Sequence, residues 1–313
     1  MAAGQEVDAR LRARFGSRLR ASVSLAPFTT FRTGGRADWL LETDRAADLV
    51  AATEETRTLG LPLTLLGGGS NVLVGDRGVR GLVVRLRHGR IHAPRPDRVR
   101  ADAGVTINGL VRWTIQRGLA GLERWAGTPG TVGGAIHGNA HFEGRLVGDM
   151  VTTVGLIDEA GDVHEVPADA MAFGYDQSRV QRTREVVAWA EFAVESGMPS
   201  ALRRAARQSL AFRKRTQPLD RASAGCVFQN PRDDDGPLPP GVPRSAGALI
   251  DRAGLKGTRE GGAVVSGIHG NFIVNAGGAS ATEIRTLIER CRDEVARQYG
   301  IELRLELVCL GEF

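Results

Sequence analysis

Apolar residues recur every three to four positions in several stretches of the chain, and this spacing predicts amphipathic helices. In the first stretch Val7, Leu11 and Phe15 lie four residues apart. In the last one Ser280 and Glu283 form a capping-box pattern, and the apolar series that follows places Cys291 in the core. The stretches predicted in this way are residues 5–15, 45–58 (with Ala47, Leu49, Val50 and Ala51 facing inward), 106–118, 202–215, 245–253 and the segment after Ser280.

Shorter runs of β-branched and aliphatic residues predict strands. Residues 63–66 are mostly apolar and are expected to form a buried strand, while 151–157 and 163–166 are expected to pair as a hairpin. Residues 301–309 alternate, so that Leu305 and Leu307 are expected to be buried and Glu306 to point to the polar side. Further strands are predicted at 37–42, 71–74, 81–86, 90–93, 99–103 and 186–194, and the strand–helix–strand order near the N-terminus predicts a small α/β unit.

A glycine-rich loop follows the predicted strand at 63–66. Gly67, Gly68 and Gly69 lack Cβ atoms, so their backbone N–H groups can approach an anion, and Ser70 and Asn71 add a hydroxyl and an amide. No Gly-Lys-Ser/Thr follows, which disfavours a P-loop, and no G-x-G-x-x-G opens a helix, which disfavours a Rossmann site. A plain tight turn remains an alternative.

A second glycine-rich loop occupies residues 121–140. Its glycines and its proline allow close approach of main-chain amides, and its threonine hydroxyls can donate to a phosphate. Two such loops fit the two ends of a diphosphate-containing cofactor better than one. The residues concerned are Gly127, Thr128, Pro129, Gly130, Thr131, Gly133 and Gly134.

The composition narrows the class of partner and the compartment. The chain has 313 residues, enough for two domains, and its +5 formal charge comes almost wholly from arginines, since Lys214 and Lys256 are the only lysines. The arginines are dispersed among acids and aromatic residues are few, so nucleic-acid binding is not expected. No apolar run is long enough for membrane insertion and the N-terminus lacks a secretory pattern, which predicts a cytoplasmic protein.

The cysteines and histidines do not predict a metal site. The three cysteines lack C-x-x-C spacing, so neither a disulfide framework nor a zinc site is expected. His137 and His141 lie four apart, as on one face of a helix, but Gly138 stands between them and no His-Glu-x-x-His pattern is present.

Taken together, these loops and several later motifs resemble the UDP-N-acetylenolpyruvoylglucosamine reductases (MurB family), over nearly the whole chain. The length and the lack of a tyrosine-bearing insertion resemble the shorter type of this family. The motifs that carry the resemblance are residues 30–35 (TFRTGG), 66–71 (LGGGSN) with Asp76 and Gly78, 127–134 (GTPGTVGG) with Asn139, 217–218 (QP), 223–231 (SAGCVFQNP), 253–257 (AGLKG) and 269–275 (HGNFIVN).

The resemblance implies an α+β protein with the FAD-binding fold of the vanillyl-alcohol oxidase (PCMH) type, followed by a C-terminal α+β substrate-binding domain. It implies an FAD domain at 1–198, with subdomains at about 1–78 and 79–198, and a substrate domain at 199–313 whose last strand packs back toward the flavin site. Non-covalently bound FAD would be reduced by NADPH. A hydride would then pass to C3 of UDP-N-acetylglucosamine enolpyruvate and a proton to C2, giving UDP-N-acetylmuramate for peptidoglycan synthesis. A monomer is expected.

The resemblance also implies roles for individual residues. Cys226 would donate the proton, in a position where the family usually has serine; a thiol, with a reference pKa of about 8.5, is the stronger acid. Glu306 matches the catalytic glutamate of the family. The implied FAD-binding residues are Gly67, Gly68, Gly69, Ser70, Asn71, Thr128, Pro129, Gly130, Thr131, Gly133, Gly134 and Asn139, and the implied substrate-binding residues are Tyr175, Gln229, Asn230 and His269.

Two departures from the family pattern stand out. Asp176 follows Tyr175 where the family has arginine, and Arg179 is the candidate to supply that positive charge. In the segment 141–144 (HFEG), the residues before Gly144 are not the small residues that are usual in the family. Two alternatives stay open: a flavin oxidase of the same fold that acts on another substrate (many such oxidases tether FAD through a histidine or cysteine), and a non-catalytic paralogue that binds a nucleotide sugar, which Asp176 raises.

Overall fold

The computed structural model describes residues 2–238 and 240–313, and their contacts divide the chain into two units. The first unit comprises the chain up to Val23 together with Ala37–Gly68 and Arg80–Ala211. The second comprises Ser24–Arg36, Gly69–Val79 and Phe212–Phe313. These units do not follow the linear division predicted at 198/199, which stays a prediction for the domains.

Helices form where the apolar spacing predicts them, with one helix added. Thr106 caps its helix by accepting a hydrogen bond from Gly109 N–H, and the capping box of Ser280 and Glu283 is confirmed. Ala47 was expected to face inward, which is wrong: Ala47 is exposed and Asp48 is buried, because its carboxylate binds Arg18 and Thr43. The helices are α1 (Ala2–Phe15), α2 (Ala46–Leu59), α3 (Ile107–Gln116), the unpredicted α4 (Val132–His137), α5 (Pro199–Thr216), α6 (Ala246–Arg252) and α7 (Ala281–Tyr299).

Most strands also lie where they were predicted, and several strands of only two residues were not predicted. The strands are β1 (Leu19–Ser24), β2 (Arg36–Thr43), β3 (Leu63–Leu66), β4 (Val72–Val74), β5 (Val79–Leu86), β6 (Ile91–Arg95), β7 (Arg98–Asp102), β8 (Leu119–Ala120), β9 (His141–Phe142), β10 (Arg145–Leu146), β11 (Val151–Ile157), β12 (Val163–Pro167), β13 (Val186–Ala193), β14 (Glu195–Ser196), β15 (Arg259–Glu260), β16 (Ala263–Val265), β17 (Ile273–Asn275) and β18 (Val308–Leu310).

The first unit holds two short pairs of strands, β9 with β10 and β8 with β14, and two larger sheets. One has the order β1-β2-β5-β3, with β3 parallel to β5, and the other has the order β12-β11-β13-β7-β6 with antiparallel pairs. The predicted β11–β12 hairpin is confirmed. The strand at 63–66 is confirmed but its burial is not: it lies at the edge of its sheet, and Leu65 is 39% exposed. Leu11, Phe15 and Leu49 belong to one buried cluster, so α1 and α2 share a core.

The second unit is built around α7. The apolar face of α7 packs with Phe228, Leu303 and Leu307, and Cys291 lies in this cluster as predicted; burial raises the pKa of its thiol to about 12. The three short strands β15, β16 and β17 form one sheet, and β18 pairs in parallel with β4.

The strand predicted at 301–309 is only partly confirmed. Regular pairing is confined to Val308–Leu310, and Leu305 is 42% exposed rather than buried. The alternation fails there because residues 304–306 bond to the segment at 227–229 and not to a sheet that has one buried face. In the described ranges, no helix is long and apolar enough to cross a membrane.

Candidate active site

The second glycine-rich loop leads directly into α4. Thr131 caps this helix by accepting a hydrogen bond from Gly134 N–H, and the carbonyl of Gly130 accepts one from Ile107 N–H at the start of α3. Asn108 fixes the middle of the loop: its Oδ1 lies 2.7 Å from Gly127 N, and its Nδ2 lies 3.0 Å from Thr128 O. Asn108 was not predicted as a site residue, because nothing in its own segment indicates a partner 19 residues away.

Two glycines of the first loop lie against this second loop within the first unit. A Cβ on Gly67 would lie 2.6 Å from Thr131 Oγ1, and a Cβ on Gly68 would lie 2.6 Å from the Cα of Gly130. Both distances are too short for any side chain, so the contact requires glycine. The main chains of the two loops therefore pack closely together, and we call this arrangement the cradle; its contact with the diphosphate of FAD stays a prediction.

The rest of the first loop belongs to the second unit. Thr30 N–H donates to the carbonyl of Gly69, and Asn71 Nδ2 donates to the carbonyl of Glu306 at 3.0 Å. The N–H of Val308 in turn donates to Asn71 O, where β4 and β18 begin their parallel pairing. Asn71 therefore holds the segment that carries Glu306, and its predicted contact with FAD stays a prediction, as does that of Ser70.

Cys226 and Glu306 lie on two segments of the second unit that bond to each other. Glu306 N donates to Val227 O at 2.9 Å, and Gln229 N donates to Arg304 O at 2.9 Å. Cys226 and Glu306 are both half-buried. The main chain thus brings the two predicted proton-active groups onto neighbouring segments although 80 residues separate them in sequence.

Asn271 holds the segment of Cys226 from its other side. Its Oδ1 accepts from Phe228 N at 2.9 Å and its Nδ2 donates to Phe228 O at 2.7 Å, as a neighbouring strand would. Two residues earlier, His269 Nδ1 accepts from Asn271 N–H at 3.2 Å, and burial followed by the charge of Lys256 lowers the pKa of His269. His269 is therefore neutral, with its proton on Nε2, where it can donate to a ligand.

The two remaining substrate-binding candidates of the second unit, Asn230 and Gln229, make different hydrogen bonds in the structure. Asn230 Oδ1 accepts from Ala246 N at the first residue of α6, so its side chain helps to begin that helix. Gln229 is half-buried and takes part in the chain pairing through its main chain. Their contacts with substrate stay predictions.

In the first unit, Asn139 positions the loop that carries Tyr175. Its side chain is fully buried; Nδ2 donates to Gly174 O at 2.7 Å and Oδ1 accepts from Gly148 N at 2.8 Å. Both polar ends of the carboxamide are thus used within the protein. This favours a structural role over the predicted contact with FAD.

The same loop brings Asp176 next to His141. Asp176 Oδ1 lies 3.3 Å from His141 Nε2, and the rings of His141 and Tyr175 lie 4.7 Å apart between centroids. The helical arrangement of His137 and His141 considered from their spacing does not occur, because α4 ends at His137 and His141 lies in β9.

Arg179, the candidate for the missing positive charge, is held by Glu185. Its Nε and Nη2 donate to the two carboxylate oxygens at 2.7 Å and 2.9 Å, and Thr183 and His164 contact the same carboxylate. The hydrogen bond from Arg179, with those from Thr183 and His164, lowers the pKa of Glu185 against the effect of its partial burial. A guanidinium bound in this way has its charge compensated, which argues against its predicted catalytic role.

Comparison with known proteins adds to this geometry. A family model described as UDP-N-acetylenolpyruvoylglucosamine reductase, C-terminal domain, matches residues 217–310, and one described as FAD binding domain matches residues 37–167. The reductase of Synechococcus sp. (strain JA-3-3Ab) is 38% identical over 303 residues, which cover 96% of this chain and 94% of the relative. That of Moorella thermoacetica is 41% identical over 288 residues, or 92% of each chain.

A solved structure agrees with these relatives. The crystal structure of UDP-N-acetylenolpyruvylglucosamine reductase (MurB) from Thermus caldophilus superposes with a TM-score of 0.77 at 34% identity, and covers 93% of this chain and 99% of that one. The resemblance inferred from the motifs is confirmed, and so is the α+β fold class with an FAD-binding domain before a reductase-type C-terminal domain.

Proposed function

This chain belongs to the family of UDP-N-acetylenolpyruvoylglucosamine reductases, flavoprotein oxidoreductases that use FAD, and we propose that it reduces UDP-N-acetylglucosamine enolpyruvate to UDP-N-acetylmuramate with electrons from NADPH. The observation that carries the proposal is the pairing of the Cys226 and Glu306 segments through Val227 and Glu306. Two groups able to move protons on adjacent segments suit a reaction that must complete a hydride addition with a proton.

The cofactor would be held by main chain of both glycine-rich loops. Gly67 and Gly68 from the first loop and Gly130 and Thr131 from the second form the cradle described above. When bound, FAD supplies the hydride chemistry, taking electrons from NADPH and giving them to the substrate. The protein supplies the position of the substrate, the proton and the stabilisation of charge.

Cys226 donates the proton to C2 of the substrate, and Glu306, on the segment that bonds to the segment of Cys226, acts as a second acid or returns a proton to the thiol. His269, neutral and with a donor at Nε2, suits a phosphate or hydroxyl oxygen of the nucleotide sugar. Tyr175, Gln229 and Asn230 complete the proposed substrate contacts. The proposed compartment is the cytoplasm, where the three free cysteines fit a reducing environment, and the proposed state is a monomer.

Anaerobic mixing tests the proposal directly. The protein loaded with FAD is reduced with one equivalent of NADPH and mixed with UDP-N-acetylglucosamine enolpyruvate while flavin absorbance is followed. We expect the oxidised spectrum to return with formation of UDP-N-acetylmuramate. Reduced flavin that persists, with substrate bound, would instead support the non-catalytic nucleotide-sugar-binding paralogue that Asp176 raises.

The tethered oxidase is distinguished by a simpler measurement. Denaturation followed by filtration is expected to release all of the FAD, because the proposed cradle holds the cofactor through main-chain contacts. Flavin that stays with the denatured chain would favour the oxidase.

A further inference from the structure

Every charged side chain on the outward side of α5, over the part of the helix that belongs to the first unit, is an arginine. Leu202 and Ser209 are buried on the side that packs against the protein, whereas Arg203, Arg204 and Arg207 are exposed. At 3.6 residues per turn, these three arginines lie together within about a third of the helix circumference, away from Leu202 and Ser209. The helix therefore presents a group of three guanidinium groups to the solvent.

Two further arginines border this part of α5 within the first unit. Ser209 Oγ donates to the carbonyl of Arg124 at 2.6 Å, and Gly197 N–H, two residues before the helix, donates to the carbonyl of Gly118, next to Arg117. The side chains of Arg117 and Arg124 are exposed. We call the five residues together the arginine surface: Arg117, Arg124, Arg203, Arg204 and Arg207.

The charge of the arginine surface is not compensated by acids. Within residues 2–238 and 240–313, none of its five guanidinium groups forms an ion pair, and that of Arg117 lies over the ring of Trp113, 3.9 Å from the ring centroid. The acids on the same two segments, 117–126 and 195–211, are Glu123 and Glu195. Glu123 already uses its carboxylate to accept from Gly121 N–H at 2.7 Å.

Like charges at these spacings oppose helix formation. Arg207 lies three residues after Arg204 and four after Arg203, the spacings at which side chains on a helix meet, so both pairs destabilise α5 unless an anion lies beside them. In α7, by contrast, Arg285 and Arg297 each lie beside a glutamate of the same helix. The uncompensated group on α5 therefore favours a partner that carries many negative charges.

An exposed apolar side chain next to the arginines indicates the kind of partner. Met198 directly precedes α5 and is 72% exposed. An apolar side chain beside arginines suits the boundary between lipid headgroups and acyl chains, where both find favourable surroundings. A single-stranded nucleic acid would need exposed aromatic rings on which its bases stack, but Trp113 is half-buried and its ring is covered by Arg117.

We propose that the arginine surface docks this protein on the anionic surface of a phospholipid bilayer, with Met198 reaching the acyl chains. The attraction is electrostatic: each arginine near an anionic leaflet raises the affinity about fivefold, and salt screens the attraction. Docking of this kind is peripheral, and it does not depend on the proposed reductase activity.

Sedimentation with vesicles tests the docking. The FAD-loaded protein is mixed at low salt with vesicles of phosphatidylcholine that contain or lack phosphatidylglycerol. We expect the protein to sediment only with the vesicles that contain phosphatidylglycerol, and added salt to release it. The triple variant Arg203→Gln, Arg204→Gln and Arg207→Gln keeps good helix formers and is expected to bind these vesicles about 100-fold more weakly.

A matched control removes the same charge from another helix. The triple variant Arg285→Gln, Arg292→Gln and Arg297→Gln in α7 lowers the net charge equally, but each of these arginines already has an acidic partner. We expect its affinity for the anionic vesicles to stay within about twofold of the wild type. Arg207→Gln alone, expected to weaken binding about fivefold, repeats the test if the α5 triple variant does not fold.

Three results would overturn the proposal. The first is a wild-type protein that does not sediment with the anionic vesicles. The second is an equal loss of binding in the two triple variants, which would assign the attraction to net charge and not to the arginine surface. The third is tighter binding of the wild type to an oligonucleotide than to these vesicles, which would make the arginine surface a nucleic-acid site.

Discussion

At the scale of the residue, asparagine side chains take the place of missing strand partners. Asn108, Asn139 and Asn271 each present one amide donor and one carbonyl acceptor to main-chain atoms of another segment. A carboxamide offers the same pair of groups as a peptide unit, so one side chain can hold a loop that has no regular partner. Each of these three residues lies next to a predicted site residue.

Cys226 carries a prediction at this scale. Cys226→Ala removes the proposed proton donor and is expected to slow the reoxidation of reduced flavin by substrate by at least about 100-fold, whereas Cys226→Ser is expected to retain measurable turnover. Stopped-flow absorbance measures both. Cys309→Ala, at an exposed thiol, is the control. Full activity of Cys226→Ala would assign the proton to another group.

The residues also show where inference from sequence stops. The motifs identified Cys226, Glu306 and the glycines through resemblance, without any contact being known. The position of Arg179 three residues after Asp176 predicts that it supplies the positive charge, but its carboxylate partner Glu185 lies within reach only once the chain is folded. His141 entered the predictions as a metal ligand that was disfavoured and as part of the departure at 141–144, because the sequence does not show that its ring lies 3.3 Å from Asp176.

At the scale of the element, periodicity predicted the helices well and the strands less well. The face of α7 buries the residues that its spacing indicated, and α1 buries Leu11 and Phe15 but only half-buries Val7, since a helix makes its hydrogen bonds within its own segment. A strand depends on partners that are distant in sequence. The burial of Leu65 and Leu305 was therefore predicted wrongly: one lies in an edge strand and the other in an irregular pair.

Asp76 provides a prediction about one element, the start of α7. Its carboxylate accepts from Ala281 N and Thr282 N, each at 2.8 Å, and from Thr282 Oγ1 at 2.7 Å. Asp76→Ala leaves two N–H groups of the first turn without this partner and is expected to lower the free energy of unfolding by about 1–2 kcal/mol. Urea denaturation measures the change, and Asp169→Ala, an exposed aspartate, is the control.

The same contact fixes the direction of its pH dependence. Partial burial alone would raise the pKa of Asp76, but the hydrogen bonds from Thr282 and Ala281 hold it below the ordinary value. The contribution of Asp76 is therefore complete above the pKa of the unfolded chain, about 3.9, and is lost as the pH falls through the lower folded value. The difference between wild type and Asp76→Ala should shrink in acid, and a difference that grows there would contradict the assignment.

At the scale of the whole molecule, resemblance to the family predicts the fold. The division of the chain into two units follows instead from its internal contacts. Resemblance predicted the FAD-binding domain and the C-terminal domain, and both were confirmed by the matches at 37–167 and 217–310. It did not predict that Ser24–Arg36 and Gly69–Val79 join the second unit, because that grouping arises from pairs such as β4 with β18.

Cofactor binding is a property of the whole molecule, and we expect it to depend on a single glycine, Gly68. Gly68→Ala places a Cβ against the Cα of Gly130, which is main chain and cannot rotate away. We expect the two loops to separate and the affinity for FAD to fall about tenfold or more, as measured by flavin fluorescence on titration of the apoprotein. Gly4→Ala, where a Cβ meets nothing within 4 Å, is the control. Unchanged affinity would show that the cradle does not hold FAD.

The grouping of β4 with β18 has a consequence for synthesis on the ribosome. The chain from Ser24 to Arg36 and from Gly69 to Val79 emerges long before Phe212–Phe313, with which it shares a unit. At typical translation rates of roughly 5–20 residues per second, these early segments wait on the order of ten seconds or more for their partners. During that interval the nascent polypeptide exposes Phe31 and Leu73, which later become fully buried, and so offers a binding site to chaperones.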